Sequence, residues 1–177
     1  RSRTLLGLQA HCVTVEVHLA NGLPSLSLVG LAETEVKESR ERVRAAIANS
    51  GLEFPGNKRI TVNLTPADLP KDSGRFDLPI ALGILAASGQ IDGQKLARYE
   101  FAGELSLGGE LRPVRGALAM SLALSQGREG ESADEVPHLV LPEGSAQEAA
   151  LVPGARIYRA RHLLDVAQQF LDRKSVV

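Results

Sequence analysis

The centre of the predicted fold is the stretch of residues 63–88, whose sequence is NLTPADLPKDSGRFDLPIALGILAAS. It follows a β-branched strand predicted over residues 59–64 and contains an apolar helix predicted from about Asp77 to Ala87. The loop between them is polar and includes residues 71–74, Lys-Asp-Ser-Gly. In α/β proteins such a loop often holds the functional groups, because free amide groups of the helix N-terminus point into it. A functional site is therefore expected here first.

An antiparallel meander is predicted on the N-terminal side of this stretch. Residues 4–9 and 11–19 are predicted strands, and in the second strand apolar residues alternate with polar ones. The pair Asn21-Gly22 is a strong hairpin signal. Residues 26–29 are therefore predicted to return as the next antiparallel strand.

Helices and strands alternate through the rest of the chain. A helix is predicted over residues 33–50; we interpret its charged face as solvated, with a subunit or nucleic-acid contact as the alternative. Later elements are a hairpin over 99–107 and 110–114, a helix over 116–125, a charged loop over 127–137, a strand over 139–141, a helix over 145–151, a strand over 156–158 and a helix over 160–171. This alternation predicts parallel pairing. The fold class is therefore α/β (α+β), with antiparallel N-terminal strands, a βαβ C-terminal part and a mixed sheet.

Composition and charge narrow the class of protein. The chain has 177 residues, a formal net charge of −1 and one cysteine, Cys12. A neutral chain has no overall attraction to nucleic acid or to a membrane surface. One cysteine allows no disulfide within the chain. No apolar run reaches the roughly 18–20 residues that span a bilayer, so a cytoplasmic protein without a membrane partner is expected.

The common signatures of catalytic and metal sites are missing from the sequence. There is no Gly-x-x-x-x-Gly-Lys-Ser/Thr loop for nucleotide phosphates, no Gly-x-Gly-x-x-Gly fingerprint and no Gly-x-Ser-x-Gly elbow. The four histidines are dispersed without the spacing of metal ligands: His11, His18, His138 and His162. No catalytic, cofactor-binding or metal-ligating residue is predicted in this chain.

The polar residues of the central loop have structural explanations that we favour. Asp68, Asp72 and Asp77 are interpreted as caps for loop and helix amides, with Asp77 as the N-cap of the central helix. A pair of catalytic carboxylates is the alternative. Lys71 and Ser73 are of the residue types that form a Ser–Lys dyad. They are only two positions apart in a loop, so we do not favour such a dyad.

Four stretches of the chain resemble the N-terminal domain of the ComM/YifB family, the bacterial magnesium chelatase-like AAA+ ATPases. They are residues 29–47 (VGLAETEVKESRERVRAAI), 59–71 (RITVNLTPADLPK), 74–89 (GRFDLPIALGILAASG) and 103–116 (GELSLGGELRPVRG). The resemblance extends over nearly the whole chain. It implies a fold similar to the proteolytic domain of Lon, with residues 1–177 as a single N-terminal domain and a fragment of a longer protein.

The same resemblance implies a parent protein that works on DNA. The AAA+ module is expected beyond residue 177 and would use ATP and Mg²⁺, while no cofactor is expected for residues 1–177. The expected partners are this AAA+ module and neighbouring protomers of a homo-hexamer. DNA is a further expected partner, bound weakly by the isolated domain. The implied function is ATP-driven branch migration of DNA during natural transformation.

Compared with Lon, this chain lacks both members of the catalytic dyad. After Pro-Lys-Asp, Lon has Gly-Pro-Ser-Ala-Gly, whereas residues 73–77 here are Ser-Gly-Arg-Phe-Asp, so the nucleophile position is Arg75. The position of Lon's lysine is Leu118. A protonated guanidinium cannot replace a hydroxyl nucleophile, and leucine cannot accept a proton. The resemblance therefore implies a Lon-like fold without peptidase activity.

Two hypotheses remain for the residues at this former site. Lys71 and Arg75 place two cations beside the start of a helix, which is a suitable setting for a phosphate or for DNA. Alternatively, Arg75 pairs with Asp72 or Asp77 and stabilises the loop. For the domain as a whole, the alternative to ring assembly or DNA contact is an adaptor that binds a protein partner. A residual peptidase is the least favoured reading.

Overall fold

The N-terminal half of the computed structural model is built on a four-stranded sheet, and the structure describes residues 1–6, 8–71, 74–126 and 136–171. The strands are β1 (Ser2–Leu6), β2 (Gln9–Ala20), β3 (Ser25–Val29) and β4 (Arg59–Thr65), in the order β1-β2-β4-β3. β2 is antiparallel to both β1 and β4, whereas β3 is parallel to β4. The mixed α/β class is therefore confirmed.

The predicted hairpin at Asn21-Gly22 is wrong. β3 does not return beside β2, because β4 lies between them and pairs with both. The physical reason lies in the side chains of β4. Ile60, Val62 and Leu64 are fully buried, and a strand with such a face is stabilised most at the centre of a sheet. The free energy gained by burying this face of β4 outweighs the preference of the Asn21-Gly22 turn for a hairpin.

Two helices complete the core of this half. α1 (Glu33–Asn49) and α2 (Asp77–Ala87) have the bounds that the sequence predicts to within one residue. α2 is apolar on nearly all sides, and its apolar residues are buried against the sheet and α1: Leu78, Ile80, Ala81, Leu82, Ile84 and Leu85. The burial predicted for this helix is confirmed.

The C-terminal half contains a parallel three-stranded sheet, as the alternation of elements predicts. Its strands are β5 (Tyr99–Phe101), β8 (His138–Pro142) and β9 (Ile157–Ala160), in the order β5-β8-β9. The hairpin predicted over 99–114 is shorter than expected, because β5 pairs with β8. Only β6 (Glu104–Leu105) and β7 (Leu111–Arg112) form the antiparallel pair.

Three helices cover the two faces of this parallel sheet. They are α3 (Ala117–Ser125), α4 (Glu143–Ala149) and α5 (Leu163–Gln169). Leu139 and Leu141 of β8 pack in one cluster with residues of α3 and α4. On the opposite face, Phe170 at the end of α5 stacks edge-on against Tyr99, with the ring centroids 5.0 Å apart. Most of the predicted loop over 127–137 lies outside the described residues.

A close approach between α2 and β2 leads to our first prediction. A Cβ atom added at Gly83 would lie 2.5 Å from Val17 Cγ2. Gly83→Ala is therefore expected to destabilise the fold by about 1–2 kcal/mol, because overpacking outweighs the gain in helix propensity. In a Val17→Ala background the same change is expected to be neutral or stabilising. Urea unfolding of the four proteins of this double-mutant cycle is the measurement, and equal effects in both backgrounds would contradict the prediction.

Candidate functional site

The central loop is held firmly against the β6 region. It leaves β4 at Thr65 and reaches α2 through a short 3-10 turn, Gly74–Phe76. The amide of Gly103 donates to the carbonyl of Arg75 at 2.9 Å, and the amide of Leu78 donates to the carbonyl of Gly103 at 3.0 Å. The start of α2 is therefore joined by backbone hydrogen bonds to the residue that precedes β6.

Asp77 is not the N-cap of α2, so this prediction is wrong. The cap position is Phe76, and no side chain caps the helix. The carboxylate of Asp77 is fully buried and turned towards α1, where it accepts hydrogen bonds from Arg42 Nε at 2.7 Å and Ser39 Oγ at 2.7 Å. The amide of Leu105 donates to it at 3.1 Å. A buried carboxylate is stable only when it accepts such hydrogen bonds. Asp77 therefore bonds to α1 and β6 and does not cap its own helix.

This buried ion pair joins α1, α2 and β6. Arg42 donates through two nitrogens, since its Nη2 also lies 3.3 Å from Asp77 Oδ1. Burial raises the pKa of the Asp77 carboxyl above its ordinary value, while the hydrogen bonds from Arg42 and Ser39 act to lower it. The sequence signal for this site is the spacing of Ser39 and Arg42, which places both on one side of α1.

Both cations of the predicted anion site are buried. Lys71 is 2% exposed, and its Nζ donates to the carbonyl of Leu69 at 3.0 Å. Burial lowers the pKa of the Lys71 ammonium, and the nearby Asp68 carboxylate opposes that change. Arg75 is 5% exposed, and its Nη2 donates to the carbonyl of Arg115 at 2.5 Å. Contact of Lys71 and Arg75 with an anion stays a prediction, and it requires the loop to open.

The guanidinium of Arg75 contacts the chain on both sides of Leu118, the residue that the resemblance to Lon pairs with it. Besides the carbonyl of Arg115, the guanidinium of Arg75 contacts Met120 Sδ at 3.5 Å. These two contacts lie on either side of Leu118 in the chain, at the start of α3. The side chain of Leu118 is partly exposed, and its amide donates to Glu148 Oε1 at 3.3 Å. An arginine and a leucine therefore stand here, without a hydroxyl nucleophile or an amine base at either position.

Some of the other contacts predicted for the loop involve residues that the structure does not describe. Asp68 is exposed, whereas Asp77 is buried against α1, so these two carboxylates do not form a catalytic pair. Asp72 and Ser73 lie outside the described residues, and so do the disfavoured dyad of Lys71 and Ser73 and the alternative pairing of Arg75 with Asp72. Asp77 is held by Arg42 instead. Within the described ranges, no group of three His, Cys, Asp or Glu side chains is placed to bind a metal ion.

A groove in the C-terminal half was missed by sequence reasoning. It has a volume of about 530 Å³ and lies between β9 and α5. Both tyrosines of the chain and two of its four phenylalanines assemble beside it: Tyr99, Tyr158, Phe101 and Phe170. Tyr99 and Phe101 are two residues apart on β5, whereas Tyr158 and Phe170 come much later in the chain, so the set has no motif spacing. The pairing of β5, β8 and β9 and the packing of α5 bring these residues together.

Comparison with known proteins identifies the family. The family model described as subunit ChlI of Mg-chelatase matches residues 15–134. The chain is 50% identical over 167 residues to competence protein ComM of Haemophilus influenzae, covering 94% of this chain and 31% of that protein. It is 47% identical over 174 residues to the protein YifB of Escherichia coli, covering 98% of this chain and 32% of that protein.

The matches to ComM and YifB cover only part of each of those proteins. The chain spans about a third of the length of these relatives. In the part of the chain that the structure describes, no helix combines the length and the apolar character needed to span a bilayer. The chain belongs to the magnesium chelatase subunit ChlI family, in the group that contains ComM and YifB.

Proposed function

We propose that this chain is a non-catalytic, Lon-like domain of a ComM-type AAA+ ATPase that promotes branch migration of DNA. Its role is to hold the protomers of a hexameric ring together, to contact the DNA, or both. Family membership and the likeness to a competence protein support the ATPase parent. In this proposal ATP and Mg²⁺ act in the AAA+ module that follows the domain.

The burial of Arg75 is the observation that carries the non-catalytic part of the proposal. Its guanidinium, which the resemblance to Lon puts at the nucleophile position, is buried and bonded to the carbonyl of Arg115. A guanidinium stays protonated and cannot attack a carbonyl carbon. Asp77, the next carboxylate along the chain after Arg75, accepts hydrogen bonds from Arg42. In this proposal these groups stabilise the loop, and Arg75 and Leu118 take the place of the dyad without its chemistry.

The test is branch migration by the parent protein with ATP, measured with and without residues 1–177. Sedimentation of both proteins is measured in parallel. If the deletion abolishes migration and the ring dissociates, the domain is an assembly scaffold, as proposed. If the ring survives and migration is lost, the domain handles DNA, as proposed. Unchanged migration by an intact ring would refute the proposal and favour the adaptor alternative.

A point variant separates a DNA role of the loop from a structural one. Arg75→Ala is expected to lower the melting temperature, because it removes a buried hydrogen bond and leaves a cavity. Affinity for DNA is then measured over a range of salt concentrations, since phosphate contacts make binding salt-dependent. A stability loss with unchanged affinity would remove Lys71 and Arg75 from the DNA-contact hypothesis. Arg98→Ala, at an exposed arginine outside both the central loop and α1, is the control.

A further inference from the structure

From the charges at one end of the N-terminal sheet we infer that a basic cleft beside α1 binds the phosphate backbone of DNA, on the premise of the proposed function that the domain contacts DNA. The basic cleft consists of Arg44 of α1 and the two loops 21–25 and 54–59, which lead into β3 and β4. It is distinct from the central loop with Lys71 and Arg75, where both cations are buried.

Hydrogen bonds hold the two loops of the basic cleft together. The amide of Ser25 donates to the carbonyl of Lys58 at 3.3 Å, and Lys58 Nζ donates to Asn21 Oδ1 at 2.6 Å. The amide of Lys58 donates to the carbonyl of Pro55 at 3.2 Å. Because β3 begins at Ser25 and β4 directly after Lys58, the cations of these loops are fixed on the end of the sheet.

Cations gather in this cleft. A small pocket of about 220 Å³ contains two of them and no acidic side chain, since it is lined by Pro24, Ser25, Arg44, Phe54, Gly56 and Lys58. Arg59 adds a third, exposed cation at the start of β4. Its side chain runs along the first loop, where a Cβ atom added at Gly22 would lie 3.9 Å from Arg59 Cδ.

Carboxylates leave these cations unpaired. Neither loop of the cleft contains an acidic residue other than the exposed Glu53 just before Phe54, and Glu41 lies three positions before Arg44 on α1. In the part of the chain that the structure describes, no carboxylate forms an ion pair with Arg44, Lys58 or Arg59. Although the whole chain has a net charge of −1, this end of the sheet is therefore locally basic, which favours an anionic ligand.

Phe54 holds Arg44 in position for such a ligand. The central guanidinium carbon of Arg44 lies 5.3 Å from the centroid of the Phe54 ring, a cation–π contact. None of the N–H groups of Arg44 donates a hydrogen bond to the described residues. A guanidinium can donate two parallel hydrogen bonds to a phosphate, and holding it in place beforehand lowers the entropy lost on binding.

Arg40 extends the basic cleft along α1. It lies one turn before Arg44, on the same side of the helix. Arg40 Nε is buried without a hydrogen-bond acceptor among the described residues, whereas the side chain as a whole is partly exposed. This is the pattern of a stem that packs on the protein with its charged end at the surface. A strand of DNA that crosses the cleft can therefore contact Arg40 as well as Arg44.

The apolar groups of the cleft favour DNA over an acidic peptide. Leu23 at the tip of the first loop is 88% exposed, and Phe54 is partly exposed beside Arg44. Nucleobases stack on aromatic rings and on guanidinium planes, while their phosphates bind the neighbouring cations. An acidic peptide would match the cations alone, so poly-glutamate is the competitor that distinguishes the two ligands.

The experiment measures binding of fluorescent single-stranded and duplex oligonucleotides to residues 1–177 by anisotropy, from about 50 mM salt upwards. Arg44→Glu with Lys58→Glu is expected to weaken binding about tenfold or more, and to reduce the slope of log K against log salt by about two. Lys95→Glu with Arg98→Glu makes the same charge change at two exposed cations of the C-terminal half. This control is expected to weaken binding less than about twofold.

Two further variants of the experiment test the chemistry of the contact. Methylphosphonate linkages, which remove the phosphate charge, are expected to weaken binding to the unaltered protein by about tenfold and to the Arg44→Glu, Lys58→Glu protein far less. If that double variant has a lowered melting temperature, Arg44→Gln with Lys58→Gln replaces it, with an expected loss of about fivefold. Absence of binding at low salt, or equal losses in the double variant and its control, would overturn the inference. Poly-glutamate that competes as well as unlabelled DNA would assign the cleft to an acidic protein instead.

The parent protein separates failure of the cleft from failure of the proposed function. Arg44→Glu with Lys58→Glu is expected to slow branch migration while sedimentation shows an intact ring. If deletion of residues 1–177 abolishes migration but the double variant migrates as fast as the unaltered protein, the cleft assignment is wrong and the proposed function stands. Unchanged migration after the deletion would refute the proposed function, and the binding measured on residues 1–177 then decides for or against the cleft.

Discussion

Gly30→Ala is expected to destabilise this domain by about 3–5 kcal/mol, the largest effect of any single substitution proposed for it. Gly30 lies between β3 and α1 with φ at +96°, where side chains are strained. A Cβ atom at this position would also collide with the carbonyl oxygen of Leu64 and lie 3.2 Å from its carbonyl carbon. Leu64 belongs to the central strand β4 and is fully buried, so the backbone has no room to move away.

Gly51 is a control for Gly30, because it has the strained backbone conformation without the steric collision. Gly51 has a similar positive φ of +76°, but a Cβ atom there would meet nothing within 4 Å. Gly51→Ala is therefore expected to cost only about 1 kcal/mol, from the backbone conformation alone. Urea unfolding of both variants gives the two free energies. Equal losses at Gly30 and Gly51 would show that the contact with Leu64 contributes nothing.

Asp77→Ala is expected to destabilise the domain by about 3 kcal/mol, the second large effect. The substitution removes the acceptor of the Arg42 guanidinium, the Ser39 hydroxyl and the Leu105 amide. Arg42, with 17% of its side chain exposed, then keeps only the exposed carboxylate of Glu38, which lies 3.6 Å from its Nη1. Removing the buried partner of such a pair costs far more than the pair itself contributes, because the remaining buried donors lose their acceptor.

Matched variants distinguish this ion pair from a general charge effect. Asp68 is an exposed carboxylate, so Asp68→Ala is expected to change stability by less than about 0.5 kcal/mol. The double variant Arg42→Met, Asp77→Leu removes both charges and is expected to recover part of the loss, because apolar groups can replace a buried ion pair. Thermal and urea unfolding of these proteins measure the effect. If the double variant is less stable than Asp77→Ala by the full cost of Arg42→Met alone, the two residues are not coupled and the predicted recovery is wrong.

Local patterns in the sequence were sufficient for the elements that have one dominant signal. The alternation of Ile60, Val62 and Leu64 predicts β4, and the all-round apolar composition after Asp77 predicts α2. Both elements have the predicted type and nearly the predicted bounds. Burial of apolar side chains is a property of each element, so a period of two or a continuous apolar surface is visible before any partner is known. The βαβ character of the C-terminal half followed from the same kind of signal.

Properties that depend on a partner could not be predicted in this way. The position of β3 beside β4 depends on which strand is buried at the centre of the sheet, and the local Asn21-Gly22 signal favoured the wrong neighbour. The role of Asp77 depends on donors from α1 and β6, which are 28 to 38 residues away in the chain. A capping pattern cannot reveal donors at such a separation.

By itself the sequence determined the α/β class and the positions of most helices and strands. Tertiary structure alone decided that Lys71 and Arg75 are buried, that Asp77 is paired with Arg42, and that Tyr99, Tyr158 and Phe170 line one groove beside an open strand edge. The physical reason is the range of the interactions. Side-chain periodicity and backbone preferences act within a few residues, whereas burial, ion pairing and groove formation join groups that only the completed packing brings into contact.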